Sequence, residues 1–342
     1  MTDAGRAPRS EPELEEVLSR PSASLSSVLA NVPGDIVVLG AGGKMGPSLA
    51  RMAKRASPRR RVIAVSRWSS AAAADELRAH DVDTVRADLL DPHALASVPD
   101  APNVIFMAGQ KFGTSGSPAS TWAMNAAVPA FVAERFASSR IVVFSTGNVY
   151  PLTPPSRGGS RETDEPAPVG EYANSCLARE RLFAAGSARH GTRVAIVRLN
   201  YAHDLRYGVL TDLAFRLVQG APIDVAMGYV NVIWQGDANA LALAALAHAS
   251  APEPYVVNVA GRETLSVRDL AHRLASRLDV AAHVVGEEAP DALLSNSARM
   301  SELLGDALMP LDTLISWVVE WITGGGRLLG KPTSYEKRDG RF

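Results

Sequence analysis

A single cysteine, Cys176, stands in the 342-residue chain. One thiol excludes an internal disulfide and any multi-cysteine metal site. Lysine is almost as scarce: Lys44, Lys54, Lys111, Lys331 and Lys337 are the five present, and the other basic residues are arginines. With the abundant alanine this skew fits GC-rich coding, so a single arginine carries little functional weight. Neither charge is in excess, with 35 Lys+Arg against 36 Asp+Glu. That balance gives no electrostatic footprint for nucleic acid. No apolar run reaches the roughly 18 residues of a membrane span. The opening MTDAGRAPRSEPELEEVL has no basic-then-apolar leader pattern. The expectation is a cytoplasmic protein with no membrane and no nucleic-acid partner. What is plentiful is ordinary globular material, 46% hydrophobic and 21% charged. At roughly 100–200 residues per domain the length suits one large domain or two smaller ones.

Residues 1–10 are polar and read as a frayed end. Residues 11–31 carry helical spacing in two pieces, with Leu14, Val17 and Leu18 before Pro21 and Leu25, Val28 and Leu29 after it. Regular alternation begins at Asp35. Ile36 to Leu39 is a short continuous apolar run, as expected of a strand buried on both faces. Further strands are expected at Val62 to Val65, Thr84 to Arg86, Val104 to Met107, Ile141 to Phe144 and Val194 to Val197, with helical stretches between them. That rhythm predicts an α/β fold with a doubly wound parallel sheet and right-handed crossovers. After about residue 200 the rhythm loosens. Helices are expected at 209–219, 237–248, 266–278 and 312–323, and strands near 229–234 and at Tyr255 to Val259. The division is therefore an N-terminal helical extension (1–33), a nucleotide-binding domain (34–200, with later segments returning to it), a smaller substrate domain (mainly 201–323) and a glycine-rich tail (324–342). The tail reads as an extended arm or partner contact.

The first strand runs into Gly40-Ala41-Gly42-Gly43-Lys44-Met45-Gly46, and a helix follows. Glycine permits the tight turn, and its missing side chain lets backbone N–H groups approach a pyrophosphate at the positive end of that helix. At the end of the second strand, where an acid would hydrogen-bond the ribose of NAD, stand Ser66 and Arg67. Ser66 and Arg67, with Lys44 in the loop, suit a 2′-phosphate, so NADP is favoured over NAD.

With these features the chain resembles the extended short-chain dehydrogenase/reductase family, the NAD(P)-dependent sugar epimerases and dehydratases, from about 34 to 322. Gly40, Gly43 and Gly46 match its cofactor loop. Asp88-Leu89 matches the pair flanking the adenine, and Ala108-Gly109 the small residues lying against the cofactor. In the stretch Phe144 to Tyr150, Thr146 falls where the family polarises the substrate oxygen. Tyr172 falls where it has its catalytic Tyr-x-x-x-Lys, with Glu180 on the same helix. Arg198-Leu199-Asn200-Tyr201 and Asn231 to Asp237 match two later segments. The resemblance implies a Rossmann-type fold, a nicotinamide cofactor, carbohydrate metabolism, a homodimer, and redox or epimerase chemistry on a hydroxyl or carbonyl of a small sugar or sugar acid.

Cys176 stands where that pattern has its lysine, making the motif Tyr-x-x-x-Cys. The lysine binds the nicotinamide ribose and lowers the tyrosine pKa, which otherwise sits near 10; a neutral thiol lowers nothing. Cys176 is either a small residue on a helix face or a thiol near the cofactor. Lys111, just beyond Ala108-Gly109, is a candidate replacement cation and the third catalytic candidate beside Thr146 and Tyr172. The segment 229–231 has no arginine for a diphosphate, which argues against a nucleotide sugar. Substrate contacts are expected from Asn125, Asn148, Asn200, Tyr201 and Trp234, with Met45 on the cofactor side. His203, Asp204, Arg206 and Tyr207 cluster on one loop, but adjacent loop residues rarely converge on one ion, so no metal is expected. Two other classes remain open: a cofactor-binding sensor or scaffold with little redox activity, and a lyase or isomerase using the cofactor transiently or structurally.

Overall fold

A computed structural model describes residues 6–341 except 112, 114, 115, 307 and 332. Residues 1–5 of the expected frayed end lie outside the described residues. Directly after them Ala7 is buried against the C-terminal core, so the chain is packed earlier than its polarity suggests. The N-terminal extension forms α1 (Glu11–Leu18) and α2 (Ala23–Ala30). Ser10 and Ser22 cap them, each side chain accepting a hydrogen bond from the amide three residues on. Leu14 and Leu18 of α1 sink into the C-terminal core, whereas Leu25 and Leu29 of α2 pack against the sheet. The extension thus pins the two halves together.

The central sheet has seven parallel strands. They are β1 (Ile36–Leu39), β2 (Val62–Ser66), β3 (Asp83–Arg86), β4 (Asn103–Phe106), β5 (Arg140–Thr146), β6 (Arg193–Leu199) and β7 (Tyr255–Val259). Their order across the sheet is β7-β6-β5-β4-β1-β2-β3. The reversal between β1 and β4 opens a crevice at the carboxyl ends of the strands, where ligands of such sheets bind. Alternation along β1 shows why its run is wholly apolar: Ile36 and Val38 face one core layer, Val37 and Leu39 the other. Helices α3 (Gly46–Ala56) and α10 (Gln235–Ala244) cover the first layer. In the chain α4 (Ala71–Ala79), α5 (Pro92–Ala96) and α6 (Pro118–Trp122) follow α3, and helices α7 (Val128–Arg135) and α8 (Gly170–His190) cover the second layer.

The second half returns β7 and α10 to the sheet. Its own core gathers α9 (Val209–Val218), α11 (Val267–Leu278) and α12 (Leu311–Thr323). The strand expected near 229–234 is two separate two-residue pairings, Tyr229–Val230 and Ile233–Trp234. Among the described residues no helix is long and apolar enough to cross a membrane.

Candidate active site

Two hollows are lined by residues at the carboxyl ends of the strands. The first, about 410 Å³, is lined by Gly40, Gly43, Ser66, Arg67, Asp88, Leu89, Ala108 and Gly109. Gly40 has φ +89°, and a Cβ there would sit 2.5 Å from the Ala108 amide nitrogen. Gly43 is different: an added Cβ would meet only the Gly40 carbonyl, at 3.4 Å. Protein atoms leave that space open, which is the cradle a phosphate needs for close approach to backbone N–H groups. Gly46 serves packing, since its Cβ would strike the Ala41 carbonyl oxygen at 2.2 Å. The residues therefore fit a dinucleotide along β1, β2, β3 and β4. Trp68, Met107, Gln110 and Met124 also line this hollow. No motif marks them; Trp68 is held by its indole donating to the Val85 carbonyl at 2.9 Å.

Lys44 is not at this end. Its ammonium donates to the Ala202 carbonyl at 3.3 Å and lies 4.2 Å from the Tyr207 ring centroid. It lines the second hollow, so it does not join Arg67 on a 2′-phosphate. Arg67 faces Asp88 instead, at 3.9 Å.

The second hollow, about 220 Å³, brings together Lys44, Met45, Lys111, Thr146, Asn148, Tyr172, Asn200 and Tyr201. Strand β5 delivers Thr146, α8 delivers Tyr172, and the loop after β4 delivers Lys111. The Asn148 backbone and side-chain N–H groups both donate to Thr146 Oγ1, at 3.2 and 3.0 Å. That occupies the oxygen's lone pairs and leaves its O–H to donate toward Tyr172; this bond lowers the tyrosine pKa. It does not prevail. Burial, and then the neighbouring Cys176, hold Tyr172 well above the usual tyrosine range, against the field of Arg179. Lys111 lies 6.0 Å from the Tyr172 ring centroid and donates to the Thr333 carbonyl at 3.3 Å. Loss of water pulls both Lys44 and Lys111 down to about 8.

Three sequence expectations are corrected. Asn125 is fully buried below the hollow. Its oxygen accepts from Gln110 N and Arg179 Nη2, and its amide donates to Gln110 O and Ser175 Oγ, all at 2.8–3.0 Å. With its hydrogen bonds used up it anchors the Lys111 loop and does not meet substrate. Trp234 turns away and stacks edge-on against Trp317, centroids 5.8 Å apart. Cys176 is fully buried among Val149, Tyr150 and Tyr172 and lines neither hollow. It fills a helix face as a small buried residue, and burial pushes its thiol up.

Below the hollow, Glu180 and Arg198 form a buried ion pair at 2.7 Å, to which Ser145 and Tyr150 are hydrogen-bonded. In the 203–207 cluster only Tyr207 reaches the hollow. His203 is buried and neutral, its pKa dropped to about 3 by desolvation. Asp204 is engaged with Arg206 at 3.1 Å. Among the described residues no three His, Cys, Asp or Glu side chains come together as a metal site. Thr333 of the tail completes the lining, a residue no local motif announces.

Comparison with known proteins gives the following. The sequence model of the NAD dependent epimerase/dehydratase family matches residues 36–260. No curated protein matches the chain. Among solved structures, MoeE5 in complex with UDP-glucuronic acid and NAD is similar at 19% identity and TM-score 0.68, covering 85% of this chain and 99% of that one. A UDP-glucuronic acid 4-epimerase from Bacillus cereus has 16% identity and TM-score 0.70, covering 84% and 99%. A dTDP-glucose 4,6-dehydratase from Bacillus anthracis str. Ames, in complex with NAD, has 14% identity and TM-score 0.72, covering 84% and 96%. At these identities the likeness is one of fold.

Proposed function

The chain belongs to the NAD-dependent epimerase/dehydratase family, and from that premise we propose an NAD-dependent oxidoreductase or epimerase acting on a hydroxyl or carbonyl of a small sugar or sugar acid. The observation that carries this is the meeting of Thr146, Tyr172 and Lys111 in one hollow that adjoins the glycine-loop crevice. Gly40, Gly43, Ser66, Asp88, Leu89, Ala108 and Gly109 would hold the dinucleotide, and Met45, expected on the cofactor side, lines the second hollow. When bound, that group supplies the hydride acceptor or donor for the substrate carbon.

The protein's own contribution is proton handling. Tyr172 presents its O–H to the substrate oxygen, and Thr146, whose own O–H is directed at Tyr172, holds the phenol in place. Tyr172 stays protonated at neutral pH, so it acts as a hydrogen-bond donor and acid. Lys111, near pKa 8, is the group able to take up a hydroxyl proton in the physiological range. In this way a neighbouring amine does the work that the missing family lysine does through tyrosinate.

NAD is the better reading of the cofactor. Its support is Asp88 beside Arg67, the removal of Lys44 from that end, and the NAD bound in the similar structures. A homodimer is supported by the exposed aromatics Trp122 and Phe131, on or beside α7; sedimentation would test it. A second reading, a dinucleotide-binding protein of low redox activity, is favoured by one observation, the pairing of a protonated Tyr172 with Cys176. The experiment that separates the two is titration of NAD by protein fluorescence, followed by sugars and sugar acids while reduced nicotinamide is monitored. Binding with reduction supports the enzyme; binding without reduction under every sugar supports the second reading.

A further inference from the structure

Arg179 is a buried charge outside the proton chemistry of the second hollow. It is almost fully buried on α8, and its position, seven residues after Tyr172 and three after Cys176, puts it on the helix face that bears both. Its Nη1 donates to the Phe144 carbonyl at 2.7 Å and its Nη2 to Asn125 Oδ1 at 2.9 Å. Its Nε is buried with no acceptor among the described residues. The guanidinium carbon lies 5.6 Å from the Phe106 ring centroid. Asn125 itself sits in a π-helical turn, Ala123–Ala127, a local widening of the helix that is frequent at functional sites.

None of these partners carries a charge. Among the described residues Arg179 pairs with no carboxylate: Glu180, next on the helix, is held at 2.7 Å by Arg198, and that pair is neutral as a whole. A buried cation without a counter-ion is costly. An uncharged amide could bridge Phe144 and Asn125 at lower cost, so the charge itself calls for a role. Its position supplies one. Gly109 lines the dinucleotide hollow, and a Cβ on it would sit 2.6 Å from Arg179 Nη2 and 3.2 Å from Asn125 Oδ1. Gln110 lines the same hollow, and its amide donates to the same Asn125 oxygen at 2.8 Å. The field of the guanidinium also reaches the other hollow, where it pulls on the Tyr172 phenol against the stronger effect of burial. One positive charge therefore stands against a lining residue of the first hollow and within reach of the tyrosine of the second. In a buried setting such a charge is weakly screened and acts over several ångströms. Reduction of a nicotinamide removes one positive charge from its ring, so the reduced form is the one a fixed cation favours.

We propose that Arg179 is a positioning residue of electrostatic kind, whose fixed charge makes the dinucleotide site hold reduced nicotinamide more tightly than oxidised and so raises the potential of the bound couple. This rests on the reading of the first hollow as the dinucleotide site. The test is calorimetric titration of the full-length protein with NAD and with NADH at pH 9, where Lys44 and Lys111 are mostly uncharged and arginine keeps its charge. NADH should bind about tenfold more tightly than NAD, equivalent to about 30 mV for a two-electron couple. Arg179→Lys, which keeps the charge, should keep most of that ratio. Arg179→Met should bring the two affinities within about twofold of each other. Asn125→Asp supplies a counter-charge at nearly unchanged shape and should do the same, so the test holds even where Arg179→Met fails to fold. A merely structural Arg179 would weaken both nucleotides alike and leave the ratio unmoved. Equal affinities in the wild type, or an unchanged ratio in either Arg179→Met or Asn125→Asp, would overturn the proposal. Failure of the wild type to bind either nucleotide would overturn the underlying reading of the hollow, whereas normal NAD binding with an unmoved ratio overturns the role of Arg179 alone.

Discussion

At the scale of single residues the proposed chemistry exchanges the roles of Tyr172 and Lys111. Tyr172 is held protonated by burial and by Cys176, and Lys111 changes charge near pH 8. The expected pH profile of kcat/KM therefore rises through about pH 8 as Lys111 loses its proton. Lys111→Met should remove that inflection and lower the rate by about 10²–10⁴-fold, the usual worth of a positioned acid or base. Cys176→Ala should keep both. An unchanged profile in Lys111→Met would move the proton transfer elsewhere. The same lysines set a stability trend. Their folded pKa lies below the value of about 10.4 expected in the unfolded chain, so the unfolded state binds more protons between about pH 8 and 10.4, and stability rises with pH across that window. Lys44→Met or Lys111→Met should raise the thermal midpoint at neutral pH, with the advantage fading toward pH 10; a lower midpoint at pH 7 would contradict this. Gly43→Val tests the cradle. Its side chain enters space that protein leaves open, so the variant should fold normally and lose NAD affinity in a fluorescence titration.

Among elements, α8 matters most, because one face carries Tyr172, Cys176, Arg179 and Glu180 (spacings of four, seven and eight). Burying Glu180 against Arg198 fixes the helix to β6 below the hollow. Removing one partner leaves the other charge buried and unpaired, so Glu180→Ala should cost about 3–5 kcal/mol in urea unfolding. A loss below about 1 kcal/mol would show the pair to be dispensable. Most strands of the sheet were legible because they are buried on both faces and read as apolar runs between glycine or polar turns, whereas the edge strand β3 has exposed ends and no such run. The two-residue pairings of the second half were not, since two residues carry no periodicity. Trp234 misled for a related reason: its place in a motif marks the start of α10, but which way the indole points is decided by Trp317, eighty-three positions away in sequence and 5.8 Å away in space. Lys44 misled likewise. Its neighbour in sequence is the pyrophosphate loop, while its partners, Ala202 and Tyr207, come from the second half.

Over the whole molecule the sheet and the C-terminal core are joined by terminal segments that sequence patterning leaves unremarkable. Helix α1 enters the C-terminal core, α2 the sheet, and the tail clasps Glu11 while walling the hollow with Thr333. None of these contacts is local, so neither the burial of the tail nor its part in the site could be read from its glycine-rich composition. Motif and spacing did locate Thr146, Tyr172 and Lys111 together, because the parallel sheet brings the ends of its strands to one edge. At the other end of the crevice, the proposed preference for NAD rests on Asp88 facing Arg67. NAD should bind more tightly than NADP, and Asp88→Asn, by freeing the arginine, should narrow the gap; an equal or greater affinity of the wild type for NADP would reverse that assignment. The most direct test of the account is to add glucuronate to the NAD-saturated full-length protein and follow the near-ultraviolet absorbance of reduced nicotinamide in the wild type and in Lys111→Met. The account predicts reduction in the wild type and its loss in the variant; no reduction by the wild type, or equal reduction by both, would contradict it.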